Sequence, residues 1–147
     1  MARIVLKFGG TSVGDIDRIK NVARKVKVEV DAGHQVAVVV SAMSGVTNKL
    51  VEYCASISPL HDAREYDAVV ASGEQVTSGL LAMTLQNMGV KARSFMGWQL
   101  VRASGAHGNS RVEAVEGAML NEALSDWTVA VIPGFQGVST DGRLATL

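Results

Sequence analysis

Two rhythms of apolar and polar positions alternate along this chain. Arg3 to Phe8 is a short apolar run halted by Gly9-Gly10, and Gln35 to Val40 is a second, whose centre Val36-Ala37-Val38-Val39-Val40 carries no polar alternation. Runs of this length beside glycines predict strands, and unbroken apolarity predicts burial on both faces, as in a parallel sheet covered by helices. Between them the period lengthens. From Asp15 onward, Ile16, Ile19, Val22, Ala23, Val26 and Val30 share one helical face, Arg18, Lys20, Arg24, Lys25 and Lys27 fall mostly on the other, and Gly33 is a natural stop.

The same reading predicts a helix from about Thr47 to Ile57, broken by Pro59, and another from Asp62 to Ala71. Gly73 interrupts, and Glu74 opens a helix to Asn87 with Val76, Leu80, Leu81, Thr84 and Met88 inward and Gly89 as its cap. Val90 to Phe95 and Trp127 to Ile132 read as a third and fourth strand, the latter stopped by Pro133-Gly134. Ser110, with Glu113 three residues on, reads as a capping box opening a helix through Leu124. Gly97 to Gly108 shows no assignable period, and Trp98 within it is expected to pack against the sheet rim. Thr140-Asp141-Gly142-Arg143 predicts a hairpin turn between two short strands. Strands alternating with helices predict a three-layer, doubly wound α/β fold: a mostly parallel sheet with helices on both faces.

Composition narrows the function classes. Fourteen Lys and Arg balance fourteen Asp and Glu in the 147 residues, so no global field draws nucleic acid or an anionic membrane, and any bound anion needs a local site. With 48% hydrophobic and 19% charged residues, the chain can bury a core and is not a disordered tail. The single cysteine, Cys54, excludes an intrachain disulfide framework, suits a reducing compartment, and falls in an apolar helical stretch as a core residue. No apolar run approaches the ~20 residues of a membrane span, and Met1-Ala2-Arg3-Ile4-Val5-Leu6-Lys7 is too soon interrupted for a signal peptide. A cytoplasmic protein is expected.

In open α/β sheets ligands bind beyond the carboxyl ends of the strands. The first such end carries Lys7-Phe8-Gly9-Gly10-Thr11-Ser12, the second Ser41-Ala42-Met43-Ser44-Gly45, and the fourth Pro133-Gly134-Phe135. Adjacent glycines let backbone N–H groups approach an anion, Thr11 and Ser12 add hydroxyls, the following helix points its positive end at the same space, and Lys7 adds a full charge. Together they suit a phosphate. Two better-known phosphate loops do not apply: Gly9 and Gly14 have the P-loop glycine spacing, but Asp15 and Ile16 follow where Lys and Ser/Thr are required, and Thr11 breaks G-x-G-x-x-G. His34, His61 and His107 lack metal-ligand spacing. His34 and His61 read as surface residues. His107, in the Ser104 to Ser110 loop toward the active-site side, offers a substrate contact as an alternative to a structural role.

Lys7-Phe8-Gly9-Gly10-Thr11-Ser12-Val13 resembles the amino-terminal signature of the aspartate kinases, within the amino-acid kinase superfamily. Val39-Val40-Ser41-Ala42-Met43-Ser44-Gly45-Val46-Thr47, Ala71-Ser72-Gly73-Glu74 and Pro133-Gly134-Phe135-Gln136-Gly137 resemble that family's next three motifs, in order and across nearly the whole chain. The resemblance implies transfer of the ATP γ-phosphoryl group to the side-chain carboxylate of L-aspartate, the first step toward lysine, threonine and methionine, with ATP and Mg²⁺ as cofactors. It implies that Lys7 is catalytic, that Lys7, Phe8, Gly9, Gly10, Ser12 and Ser41 contact the nucleotide, and that Thr47 and Glu74 hold aspartate, Glu74 meeting its ammonium. It implies no metal-binding side chain. Residues 1–147 would be the amino-terminal portion of an amino-acid kinase domain, the nucleotide half and regulatory ACT domains lying outside them. The full-length protein would be a homo-oligomer, and these residues alone would not catalyse at a useful rate. The alternatives are a superfamily relative acting on glutamate, acetylglutamate, carbamate or UMP, and a non-catalytic anion-binding module.

Overall fold

The computed structural model describes residues 1–147 in full. Its centre is a four-stranded parallel sheet built from β1 (Arg3–Phe8), β2 (Gln35–Val40), β3 (Ala92–Ser94) and β6 (Val129–Pro133), in the order β1-β2-β6-β3. Period-2 alternation sends successive side chains to opposite faces, and here it separates two cores. Val36, Val38 and Val40 of β2, with Val129 and Val131 of β6, meet helices α1 (Ile16–Asp31) and α4 (Ser72–Asn87) on one face. Ala37 and Ala130 turn to the other, where α6 (Ala118–Ser125) packs through Ala123 and Leu124 together with Phe95 and Leu100. Valine faces the longer helices, and alanine lets the short one come close. The doubly wound, layered architecture expected from sequence is what the chain adopts.

A second sheet was not expected. The stretch without a period holds α5 (Gly97–Leu100) and β4 (Val101–Ser104). Residues expected to begin a helix at Ser110 instead form β5 (Arg111–Val115), and the helix is confined to α6, entered from Gly117. Ser110 caps nothing: its hydroxyl donates to the Ala106 carbonyl at 3.1 Å and its N–H to Thr146 at 3.0 Å. β7 (Gln136–Val138) and β8 (Leu144–Thr146) form the foreseen hairpin and complete a mixed sheet in the order β5-β4-β7-β8.

Other corrections concern faces and ends. Asp15 caps α1, accepting from the Arg18 N–H at 2.8 Å, and Ile19, Val22, Ala23 and Val26 are buried, but Ile16 in the first turn is exposed. On α4 the inward stripe is Glu74, Thr77, Ser78, Leu81, Ala82 and Leu85, while Val76 is exposed. The third strand is shorter than the apolar run around it. Trp98 is 47% exposed, and Trp127, at φ 60°, is 50% exposed. Helices α2 (Val46–Ile57) and α3 (Ala63–Val70) lie within one residue of expectation. Cys54 is buried, and no helix is long and apolar enough to cross a membrane.

Candidate functional site

Three parallel strands end side by side. The Ser41 N–H donates to the Phe8 carbonyl at 3.3 Å, and the Gly134 N–H donates to Val40 at 3.0 Å. Beyond these ends lies a cavity of about 290 Å³. β1 contributes Lys7, whose side chain leaves the sheet opposite the core-packed Leu6 and Phe8. Val39, Val40, Ser41 and Ala42 come from β2 and its loop, Thr47 from the first turn of α2, and Gly134 and Phe135 from the end of β6. Val70 and Glu74 complete it, Val70 as the last residue of α3 and Glu74 from the first turn of α4.

Glycine makes two of these approaches possible. A Cβ at Gly10 would stand 3.0 Å from the Ala42 carbonyl oxygen, so the first and second loops meet backbone to backbone. A Cβ at Gly73 would stand 3.0 Å from the Ala42 Cβ and 3.1 Å from the Val46 Cγ1. The bare Cα there lets the start of α4 close against the second loop, which carries Glu74 to the cavity.

Glu74 is 3% exposed. Its Oε1 accepts from the Phe135 N–H at 3.1 Å, while Oε2 is buried with no partner at all. Loss of water pushes its carboxyl up to about 8, an effect only partly offset by the Phe135 and Gly134 amides. A half-satisfied buried carboxylate costs stability unless something supplies the missing donor. No carboxylate lies within 4.0 Å of the Lys7 ammonium. The cavity therefore offers one free cation for an anionic group and one buried carboxyl whose ionised form is short of a donor. A ligand bearing both an ammonium and a negative charge matches both.

Lys7, Ser41, Thr47 and Glu74 are thus brought around one hollow. Phe8, Gly9, Gly10 and Ser12 do not line it. Phe8 packs against the α1/α4 core. Gly9, Gly10 and Thr11 keep backbone N–H groups without an acceptor in the chain, whereas the Ser12 N–H closes a turn onto Gly9 at 3.0 Å. The Ser12 side chain borders a separate hollow with Arg18 and Lys25. His107 lies away from the cavity lining, its Nδ1 2.8 Å from the carboxylate of the fully buried Asp67. Val70 and Phe135 escaped the sequence reading, although Val70 stands at i−4 from Glu74 and Phe135 lies inside a motif already singled out.

No group of three or more His, Cys, Asp or Glu side chains is placed to hold a metal ion. With Glu74 as the sole carboxylate of the cavity, these residues do not form a Mg²⁺ cage, which needs oxygen ligands in near-octahedral array.

Residues 2–147 match the model of the amino acid kinase family. The chain is 47% identical over 151 residues to an aspartokinase of Rickettsia bellii; the match takes in all of this chain and 37% of that protein, so the chain spans little more than a third of its relative's length. Among solved structures it resembles an aspartate kinase from Synechocystis, with a TM-score of 0.81 and 37% identity over 97% of this chain and 23% of that one. It also resembles E. coli aspartokinase III in complex with aspartate and ADP, with a TM-score of 0.81 at 21% identity over all of this chain and 43% of that one; at that identity the likeness concerns the fold.

Proposed function

The chain belongs to the amino acid kinase family, and from that premise we propose that it carries the acceptor half of an ATP-dependent kinase acting on the side-chain carboxylate of L-aspartate. The observation that carries this reading is the orphaned Glu74 Oε2 in the wall of a cavity that also contains Lys7. The α-ammonium of the amino acid supplies the donor that Glu74 lacks. The Thr47 hydroxyl, on the same wall, holds the amino-acid end, and Ser41 lies where the phosphoryl group passes.

The chemistry follows from charge. The aspartate side chain is ionised at neutral pH and needs no general base. One of its oxygens bonds to the γ-phosphorus as the bond to the bridging oxygen of ADP breaks, giving 4-phospho-L-aspartate. The protein's work is to hold two anions together and to neutralise charge spreading over the phosphoryl oxygens. Lys7 supplies a full positive charge, and the free amides of Gly9 and Gly10 supply dipoles. Mg²⁺ would arrive on the nucleotide phosphates and neutralise part of their charge. The chain spans 37% of the length of the Rickettsia bellii relative, and we expect it alone to give no aspartyl hydroxamate at a rate near that of a full-length aspartate kinase.

Calorimetric titration of the chain tests the acceptor assignment. L-aspartate should bind saturably, N-acetyl-L-aspartate should not, and Glu74→Gln should remove the difference. Equal binding of the two ligands, or aspartate binding untouched by Glu74→Gln, would overturn it.

A further inference from the structure

The hollow bordered by Ser12 lies beside the glycine loop and shares no lining residue with the Glu74 cavity. It has a volume of about 230 Å³ and six lining residues: Thr11 and Ser12 from the loop, and Arg18, Asn21, Val22 and Lys25 from α1. Spacings of three and seven residues place Arg18, Asn21 and Lys25 on one stripe of the helix. Val22, 1% exposed, forms an apolar floor. Everything above the floor is a hydroxyl, an amide or a cation, and no carboxylate lines it.

The donors there are uncommitted. The Thr11 and Ser12 hydroxyls, the Asn21 amide and the Lys25 ammonium form no hydrogen bond within the chain, and no carboxylate approaches Lys25 within 4.0 Å. Lys27, two residues on, is by contrast paired with Asp31 at 2.7 Å. Arg18 is the organised member. Its guanidinium donates to the Thr11 carbonyl at 2.7 Å, and its Nε lies 3.8 Å from the Asp15 carboxylate. Asp15 offsets part of the Arg18 charge and is itself held by the Arg18 N–H as helix cap, which leaves Lys25 to make the hollow net positive. A planar fork, a point charge and two hydroxyls around one hollow suit an oxyanion with several acceptor oxygens better than a halide or a single carboxylate.

We propose that this hollow is a second oxyanion site, selective for a phosphate group and separate from the cavity of Lys7 and Glu74. An anion held there would pin the Thr11-Ser12 turn, and so the glycine loop beside it, from outside. This inference does not depend on the kinase reading, since its lining residues are absent from the Lys7 and Glu74 cavity, and it gives Ser12 a place other than the nucleotide contact that the family resemblance implied.

The test is an amide-resolved NMR titration of the 147-residue chain with orthophosphate at constant ionic strength, with chloride as the reference anion. Orthophosphate should shift the Ser12, Asn21 and Lys25 amides saturably, with a Kd of about 1–10 mM. The double variant Arg18→Gln/Lys25→Gln should weaken binding at least about tenfold. Lys25→Gln alone, which leaves the Arg18 bond to Thr11 in place, should weaken it about threefold. Lys7→Met and the control pair Lys20→Gln/Arg24→Gln should leave it unchanged. Shifts that chloride reproduces, equal weakening by the control pair, or loss in Lys7→Met with retention in the double variant would each overturn the proposal, the last by locating phosphate in the other cavity.

Discussion

Seven residues apart on consecutive helices, Asp67 and Glu74 are both carboxylates removed from water, and they are treated in opposite ways. Asp67, fully buried, has every need met: Thr146 Oγ1 donates to Oδ1 at 2.5 Å, the Gly108 N–H reaches both oxygens at 3.0 and 3.1 Å, and His107 stands 2.8 Å from Oδ2. It joins α3, the Ser104–Ser110 loop and β8. Glu74 has one amide and one empty oxygen. Burial alone therefore does not mark a functional acid. What distinguishes the two is whether the protein itself completes the hydrogen bonds, and at Glu74 it leaves that to a ligand.

Four substitutions sharpen or break this contrast, taken from the largest expected effect down. Asp67→Ala strands three donors around a buried hole and should cost about 3–5 kcal/mol in chemical denaturation. A loss below about 1 kcal/mol would mean that Asp67 is not the anchor described. Glu74→Gln should do the reverse. Because the folded-state carboxyl is raised, to about 8, its stability contribution is complete below the ordinary glutamate value and is lost as pH rises from there through about 8. The variant should therefore gain about 3 kcal/mol over the parent at pH 7, and the gain should vanish near pH 4. A pH-independent difference would contradict the assigned cause. His107→Ala removes one of three donors and leaves Asp67 partly satisfied, for a loss of about 1–2 kcal/mol in the same assay. Asp126→Asn, at an exposed carboxylate paired with Lys91, should leave the unfolding midpoint within scatter of the parent.

The parts of the fold legible in the sequence are those whose periodicity and burial agree. β2 was readable to the residue because both its faces are covered, and α1 because its polar face is charged and its cap is Asp15. The failures have a common origin in partners far away in sequence. β5 is exposed at all five positions and exists because it pairs with β4, which in turn aligns with β7, so no local apolar pattern announces it. Ser110 and Glu113 imitate a capping box, but the Ser110 amide is taken by Thr146. On α4 the apolar stripe captured only part of the inward face: Leu81 is buried and Leu80 and Met88 pack against the core, but Val76 is exposed and the inward face also includes Glu74, Thr77 and Ser78. In the site, Lys7, Ser41, Thr47 and Glu74 could be named through ordered motifs. The separation of Ser12 from them could not, since a turn of the loop decides it and composition does not.

Both indoles of this chain sit half in water, one in the short helix beside the second sheet and one at the turn before β6. Their emission in the native state should already be red-shifted and quenched toward that of the denatured chain. The side chains that fill the two cores include no aromatic but Phe95, with Phe8 packed against the edge of one, and phenylalanine emits little. Intrinsic fluorescence will therefore follow the rim of the molecule, and a flat trace during denaturation is compatible with complete collapse of the parallel sheet. Far-ultraviolet circular dichroism is the signal to follow in the unfolding experiments above.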